Sequence, residues 1–404
     1  MGIALTDDHR ELAEVARGFL TSQKARAAAR SLLDAPEEER SPFWQGIVEL
    51  GWLGLHIDEE HGGSGYGLPE LVVVIDELGR AVAPGPFVPT VIASAVIAKD
   101  GSAEQKSRLL PGLIDGTVIA GIGLGGHVQL SDGVADGEAG IVLGAGLGGL
   151  LLIAAGDDVL VLERDRSGVT VEVPENLDPT RRSGRVRLQK VSVSDGDILR
   201  GARESALARA RTLLAAEAVG GSADCVDAAV DYAKVRQQFG RTIATFQAVK
   251  HHCANMLVAT ESAIAAVWDA SRAEAEDLSE GEEQFRLAAA CAAALAFPAY
   301  ARNAELNIQV HGGIGFTWEH DAHLHLRRAL VTTALFGGDA PANDVFDRTA
   351  AGAARENSLD LQPEAEELRT RIRDDAAEIA ALAKDAQRDK LIETGYVMPH
   401  WPKP

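Results

Sequence analysis

The chain has 404 residues, 46% hydrophobic and 25% charged, with 60 acidic against 39 basic side chains and a net charge of -21. That composition fits a globular protein with a substantial core, and the acidic excess argues against nucleic acid or an anionic membrane as partner. No apolar run is long enough to cross a bilayer, and the acidic, amphipathic start "MGIALTDDHRELAEVARGFL" argues against a signal peptide.

Residues 1–116 read as a helical domain. "HRELAEVARGFL" repeats apolar side chains at i, i+3 and i+4, and "PELVVVIDELGRAVA" gives a second helix. The glycine-rich "DEEHGGSGYGLPE" between them reads as a connector. Over residues 117–200 short β-branched runs such as "TVIAGIGL", "GLLLIAAGDDVLVLER" and "GRVRLQKVSV" alternate with Gly, Asp and Asn, which predicts an antiparallel β-domain. Residues 201–357 return to long helical patterns that predict a four-helix bundle. Cys225, Cys253 and Cys291 fall in those patterns. Odd in number, they read as small core residues of a reducing, cytoplasmic compartment and not as disulfides or a metal set. The fold class is therefore α+β and multidomain, in the order helical domain, β-domain, bundle.

Three stretches carry more than a fold class. They are "LGWLGLHIDEEHGGSGYGLPELVVVIDELGRA" (Leu50–Ala81), "RQQFGRTIATFQAVKHHCANM" (Arg236–Met256) and "QVHGGIGFTWEHDAHLHLRRA" (Gln309–Ala329). In order and spacing they resemble the signatures of the acyl-CoA dehydrogenase family. The residue types suit such a site: an Arg offers a bidentate fork to a pyrophosphate, and paired glycines let backbone approach a dinucleotide closely. The resemblance implies that Arg236, Phe239, Gln247, Gln309, Gly312 and Gly313 hold the ADP portion of an FAD bound to a neighbouring subunit.

The same resemblance exposes gaps. The family reaction is α,β-dehydrogenation of an acyl-CoA thioester, in which a Glu removes the α-proton and the β-hydrogen passes as hydride to the flavin. At the two places where the family carries that Glu, this chain has Phe336, followed by Gly337, and Ala210. Glu217 is the nearby carboxylate and reads as a helix-packing or interfacial group, with a relocated base as the alternative. The flavin-ring segments of the β-domain correspond to "GIGLGGHVQLSDG" and "GIVLGAGLGGLLLIAAG", where the family's ring-contacting side chains are missing and few donors remain. The resemblance therefore implies a non-catalytic subunit, or half, of a heteromeric enzyme, similar to the actinobacterial heterotetramers that act on steroid-CoA thioesters. Its partner would be a catalytic acyl-CoA dehydrogenase subunit or domain, with electron-transfer flavoprotein as acceptor. Two other readings stay open: a self-sufficient homo-oligomeric dehydrogenase using Glu217, and a flavin-free scaffold.

Residues 358–404 stand apart. Leu361, Ala365, Leu368, Ile372 and Ile379 form an amphipathic stripe, and the stretch through "YVMPHWPKP" resembles the opening of a second domain of the same family. That implies the front part of a fused two-domain protein, or descent from one.

Overall fold

A computed structural model describes residues 5–274, 281–356 and 363–398. The chain divides into two compact units, Met1–Arg355 and Glu356–Pro404. The first unit opens with helices α1 (Asp7–Ser22), α2 (Ala25–Ser31), α3 (Trp44–Glu49), α4 (Leu68–Ala81), α5 (Phe87–Asp100) and α6 (Ala103–Ile114). Their starts follow capping chemistry. Thr6 and Ser102 each accept a backbone N–H three residues on, while His9 and Gln105 reach back to the cap N–H. The glycine-rich connector is not wholly irregular, since Glu59–His61 form one turn of 3-10 helix before Gly67 opens α4.

Eight strands follow: β1 (Ala120–Gly123), β2 (His127–Ser131), β3 (Val134–Val142), β4 (Leu150–Ala155), β5 (Asp158–Glu163), β6 (Val169–Glu172), β7 (Gly184–Ser192) and β8 (Ile198–Leu199). They make two four-stranded sheets, ordered β1-β4-β5-β8 and β2-β3-β7-β6. The pairing is antiparallel as expected except at one place, where β1 runs parallel to β4 with Ala120 opposite Leu150. The physical reason is that β2 and β3 leave for the other sheet before β4 returns beside β1. One apolar core, including Ala135, Ile153, Leu160 and Val186, fills the space between the sheets.

The bundle comprises α7 (Arg203–Val235), α8 (Gln247–Ala273), α9 (Gly281–His311) and α10 (Ala322–Phe336), with the short α11 (Ala340–Ala350) after it. A two-stranded hairpin, β9 (Gln237–Gln238) and β10 (Arg241–Thr242), joins α7 to α8. The alanine-rich faces of α7 and α9 pack closely, and Cys225 is buried among them, whereas Cys253 and Cys291 are half-buried. Helix α4 crosses α7 at two glycines. A Cβ on Gly79 would lie 2.2 Å from the Glu217 carbonyl oxygen, and one on Gly220 would lie 1.9 Å from that of Asp76. Only backbone fits between the helices there, so the contact fixes the N-terminal domain against the middle of α7. A second core runs continuously from α1 and α4 through one face of the β1 sheet into the bundle.

The second unit holds α12 (Pro363–Ala380) and α13 (Lys384–Thr394), tied by a hydrogen bond from the Tyr396 hydroxyl to Asp375. Of the expected stripe, Ile379 is buried while Leu368 and Ile372 are 43% and 39% exposed; Leu361, like residues 399–404, lies outside the described residues. Among the described residues no helix is long and apolar enough to cross a membrane.

Candidate functional site

The six residues expected to hold a dinucleotide come from three chain segments, and the bundle topology brings those segments to one end. Helices α7 and α9 both finish there and α8 begins there, with the Tyr232 ring stacked 4.4 Å from His311 across the α7–α9 contact. Arg236 is just past the helix, in extended conformation as the cap of α7. Its guanidinium has no hydrogen bond or ion pair among the described residues. Three residues on, Phe239 and Gly240 form the hairpin tip with φ of +52° and +76°. A two-residue turn with both φ values positive suits a tight hairpin, yet it strains a phenylalanine. That strained Phe239 ring is 91% exposed and lies edge-on to Phe246, which in turn carries the Arg241 guanidinium 4.2 Å above its face.

Gln247 is the exposed first residue of α8, where free backbone N–H groups and the helix dipole favour an anion. Gln309 is exposed in the last turn of α9. Gly312 ends that helix at φ +63°, and the Cβ positions of both Gly312 and Gly313 face open space. A free cation, a helix N-terminus and two side-chain-free backbone positions thus share one exposed end of the bundle. These residues fit the phosphates and adjacent groups of a dinucleotide.

Both places for a catalytic carboxylate are closed. Ala210 is fully buried in α7, and Phe336 is buried at the end of α10, where a Cβ on Gly337 would meet the Thr333 carbonyl oxygen and the Phe297 ring. Glu217 is buried too, but it is consumed by ion pairs. Arg181 grips both its oxygens at 2.9 and 2.8 Å, and Arg328 Nη1 donates to Oε1 at 2.5 Å. Arg328 also donates to Asp178 at 2.5 Å and to the Thr180 hydroxyl at 2.7 Å. Burial alone would raise the Glu217 pKa, yet Arg181 and Arg328 outweigh it and hold the carboxyl below its ordinary range. A carboxylate so stabilised as the anion is a poor proton acceptor. The same network joins the 178–181 loop of the β-domain to α7 and α10, while Arg182 in that loop donates to the Ala35 and Pro36 carbonyls.

The face expected to meet a flavin ring is apolar. Ile122 and Leu143 bridge each other and are fully buried, as are Leu151, Leu152 and Ile153 of β4. A Cβ on Gly144 would strike Pro89 at 2.7 Å. The aliphatic side chains of β1 and β4 offer no hydrogen-bond donors to a ring edge, so few donors remain on this face.

Sequence reasoning missed the Arg181–Glu217–Arg328–Asp178 cluster and the ring column Tyr232–His311–His320. Nothing local marks Arg181 and Arg328 as interior residues, because their partners lie 36 and 111 residues away in the chain. The repeated histidines of "HGGIGFTWEHDAHLHL" were the available signal for the column.

Residues 6–117 match the family model "Acyl-CoA dehydrogenase, N-terminal domain", and residues 200–344 match "Acyl-CoA dehydrogenase, C-terminal domain". The acyl-CoA dehydrogenase FadE34 of Mycobacterium tuberculosis is 37% identical over the whole of this chain, which spans only 56% of that protein's length. The acyl-CoA dehydrogenase IpdE2 of the same organism is 31% identical over 80% of this chain and 91% of its own. Among solved structures, a variant of the Tcur3481-Tcur3483 steroid ACAD superposes with a TM-score of 0.78 at 27% identity, over 87% of this chain and 100% of the other. The ChsE4-ChsE5 complex from Mycobacterium tuberculosis shares the fold, with a TM-score of 0.79 at 21% identity over 88% and 100% of the two chains. With the helical domains, the central sheets and the bundle in the same order, the chain belongs to the acyl-CoA dehydrogenase family, whose members are in general FAD-binding oxidoreductases.

Proposed function

We propose that this chain is the non-catalytic half of a heteromeric, FAD-dependent acyl-CoA dehydrogenase, and that it completes the cofactor site of a catalytic partner. One observation carries the reading: the groups suited to the ADP end of FAD are exposed and unpartnered, while both base positions hold buried apolar side chains. Arg236 would clamp the pyrophosphate. Gln247, Gln309 and the backbone at Gly312 and Gly313 would contact the adjoining groups, and Phe239 would pack against the cofactor or the partner. The flavin, when bound, supplies the hydride acceptor; the base and the ring-binding donors come from the partner. Exposed Val235, Phe239, Ile314, Phe316 and Trp318 give this end an apolar rim suited to burial in such a complex. The names of the steroid ACAD and of the ChsE4-ChsE5 complex support a two-chain assembly and a bulky acyl-CoA substrate. Electron-transfer flavoprotein as acceptor and a cytoplasmic location complete the proposal.

The ion pairs on Glu217 weigh against a self-sufficient enzyme, and the unpaired Arg236 weighs against a flavin-free scaffold. The test is a visible spectrum of the chain alone and co-purified with its catalytic partner. A colourless chain that becomes part of a yellow complex, at about one FAD per pair, supports the proposal. Stoichiometric flavin on the chain alone, or none in any complex, overturns it.

A further inference from the structure

The loop that carries Gly312 and Gly313 is fastened by packed aromatic rings. The His311 ring lies between Tyr232, stacked at 4.4 Å, and His320, 4.4 Å away and tilted by 52°. His311 Nδ1 donates to the Asn307 carbonyl oxygen at 2.8 Å, which fixes its tautomer. His320 Nδ1 accepts the N–H of Ala322, two residues on at the start of α10, at 3.0 Å, so this nitrogen must carry no proton for the loop's end to be capped in this way. Farther along, His323 stacks on Trp318 at 4.9 Å and its Nδ1 accepts from Arg327 Nε at 3.3 Å. Arg30 of α2 completes the fastening, bonding to Asp321 and to the Trp318 carbonyl.

We propose that His320 makes this loop a pH-sensitive fastener, closed while the imidazole is neutral and released when it is protonated, so that the ADP-binding glycines lose their position in mild acid. This rests on the reading of Gly312 and Gly313 given above.

The charges around His320 set the direction. From α9 it faces His311; from α10, His323; from α2, Arg30; within its own loop, Asp321. Of these, only Asp321 favours the imidazolium, and Asp321 is already paired with Arg30 at 2.6 Å. Burial first, and then His311, lower the His320 pKa below its ordinary value. His323 shifts the same way, through burial and through Arg327 and Arg30, against the opposing Trp318 carbonyl and Asp321. A histidine whose folded pKa is depressed stabilises the closed state fully above the unfolded pKa. That stability is lost as pH falls below it. With an ordinary pKa near 6.5 in the open loop, protonation weakens the closing equilibrium by at most about tenfold at pH 5.5.

The experiment is amide hydrogen exchange on the full chain, without flavin or partner. The reporters are the N–H groups of Gly312, Thr317 and Ala322, which the closed loop hydrogen-bonds. Intrinsic exchange is corrected for pH. Protection of these amides should drop between pH 7.5 and 5.5 in the wild type, by up to about tenfold, and by a clearly smaller factor in His320→Gln, whose side-chain oxygen can accept the Ala322 N–H. His251→Gln, on the exposed start of α8, is the control and should behave as wild type. Equal protection at both pH values in the wild type overturns the proposal, as does an undiminished drop in His320→Gln. If His320→Gln is already unprotected at pH 7.5, the Hε1 shift of His320 in the wild type decides: a midpoint at or above the ordinary histidine value overturns the proposal, and one below it upholds it. Because no flavin is present, failure here is separate from failure of the cofactor reading, which is judged by FAD content of the complex at pH 7.5.

Discussion

Replacing Glu217 by glutamine separates a structural carboxylate from a catalytic one. Four charged side chains, Arg181, Glu217, Arg328 and Asp178, are each at most 4% exposed and sum to zero net charge. Glu217→Gln leaves one positive charge uncompensated. It also sets an amide NH2 against the Arg181 guanidinium, where two N–H···O bonds stood. Breaking a buried pair in this way costs about 3–5 kcal/mol, much of it from the partner left charged and desolvated. Asp178 still serves Arg328, so the loss falls chiefly on Arg181. Urea unfolding should show a lower midpoint at unchanged slope. Removing Arg181 as well, in Glu217→Leu with Arg181→Leu, should recover part of the loss, since the remaining Arg328–Asp178 pair is neutral. The pH dependence has a definite sign. A carboxylate held below its ordinary pKa contributes stability that is complete above about 4.5 and is lost as pH falls through the folded value, so the gap between wild type and variant should close only below pH 4.5. An unfolding midpoint equivalent to within about 1 kcal/mol of wild type, together with loss of acyl-CoA turnover in the complex, would refute this reasoning and make Glu217 the base.

Three other outcomes are expected. Arg236→Ala should leave the unfolding midpoint unchanged but loosen FAD in the complex by roughly 10- to 100-fold, as for one or two hydrogen bonds from a charged donor; equilibrium dialysis of the complex measures this. Gly220→Ala should destabilise by about 1–3 kcal/mol in a thermal melt, because overpacking against the Asp76 carbonyl 1.9 Å away outweighs a gain of about 1 kcal/mol in helix propensity. Glu38 is buried with its Oε2 on the Arg182 N–H, and burial pushes its pKa up to about 7. A raised carboxylate pKa means that stability falls as pH climbs from about 4.5 to 7. Glu38→Gln should therefore be more stable than wild type at pH 8, by an amount on the order of 3 kcal/mol, and show no advantage at pH 4.

The helical, β and bundle order was legible because each element's periodicity is written locally. The long α7 and α9 follow from unbroken alanine-rich runs, and the strands from β-branched runs punctuated by glycine. The parallel β1–β4 pair was not legible, because which strands become neighbours depends on where β2 and β3 go and not on the composition of β1 or β4. Arg236, Gln309 and the glycine pair could be picked out in sequence because their motifs are contiguous.

The sequence by itself therefore determined the family, the elements and the absence of a carboxylate at positions 210 and 336, since each is a matter of residue identity or short-range pattern. Only the tertiary structure decided what Glu217 does. Its identity allows a base or an ion pair, and the choice is made by two arginines arriving from a β-domain loop and from α10. The same holds for His320, whose packing against His311 exists only once α9 and its following loop have folded back on each other. A side chain's electrostatic role depends on the charges within a few ångströms of it, and for these residues the fold supplies those neighbours from distant parts of the chain.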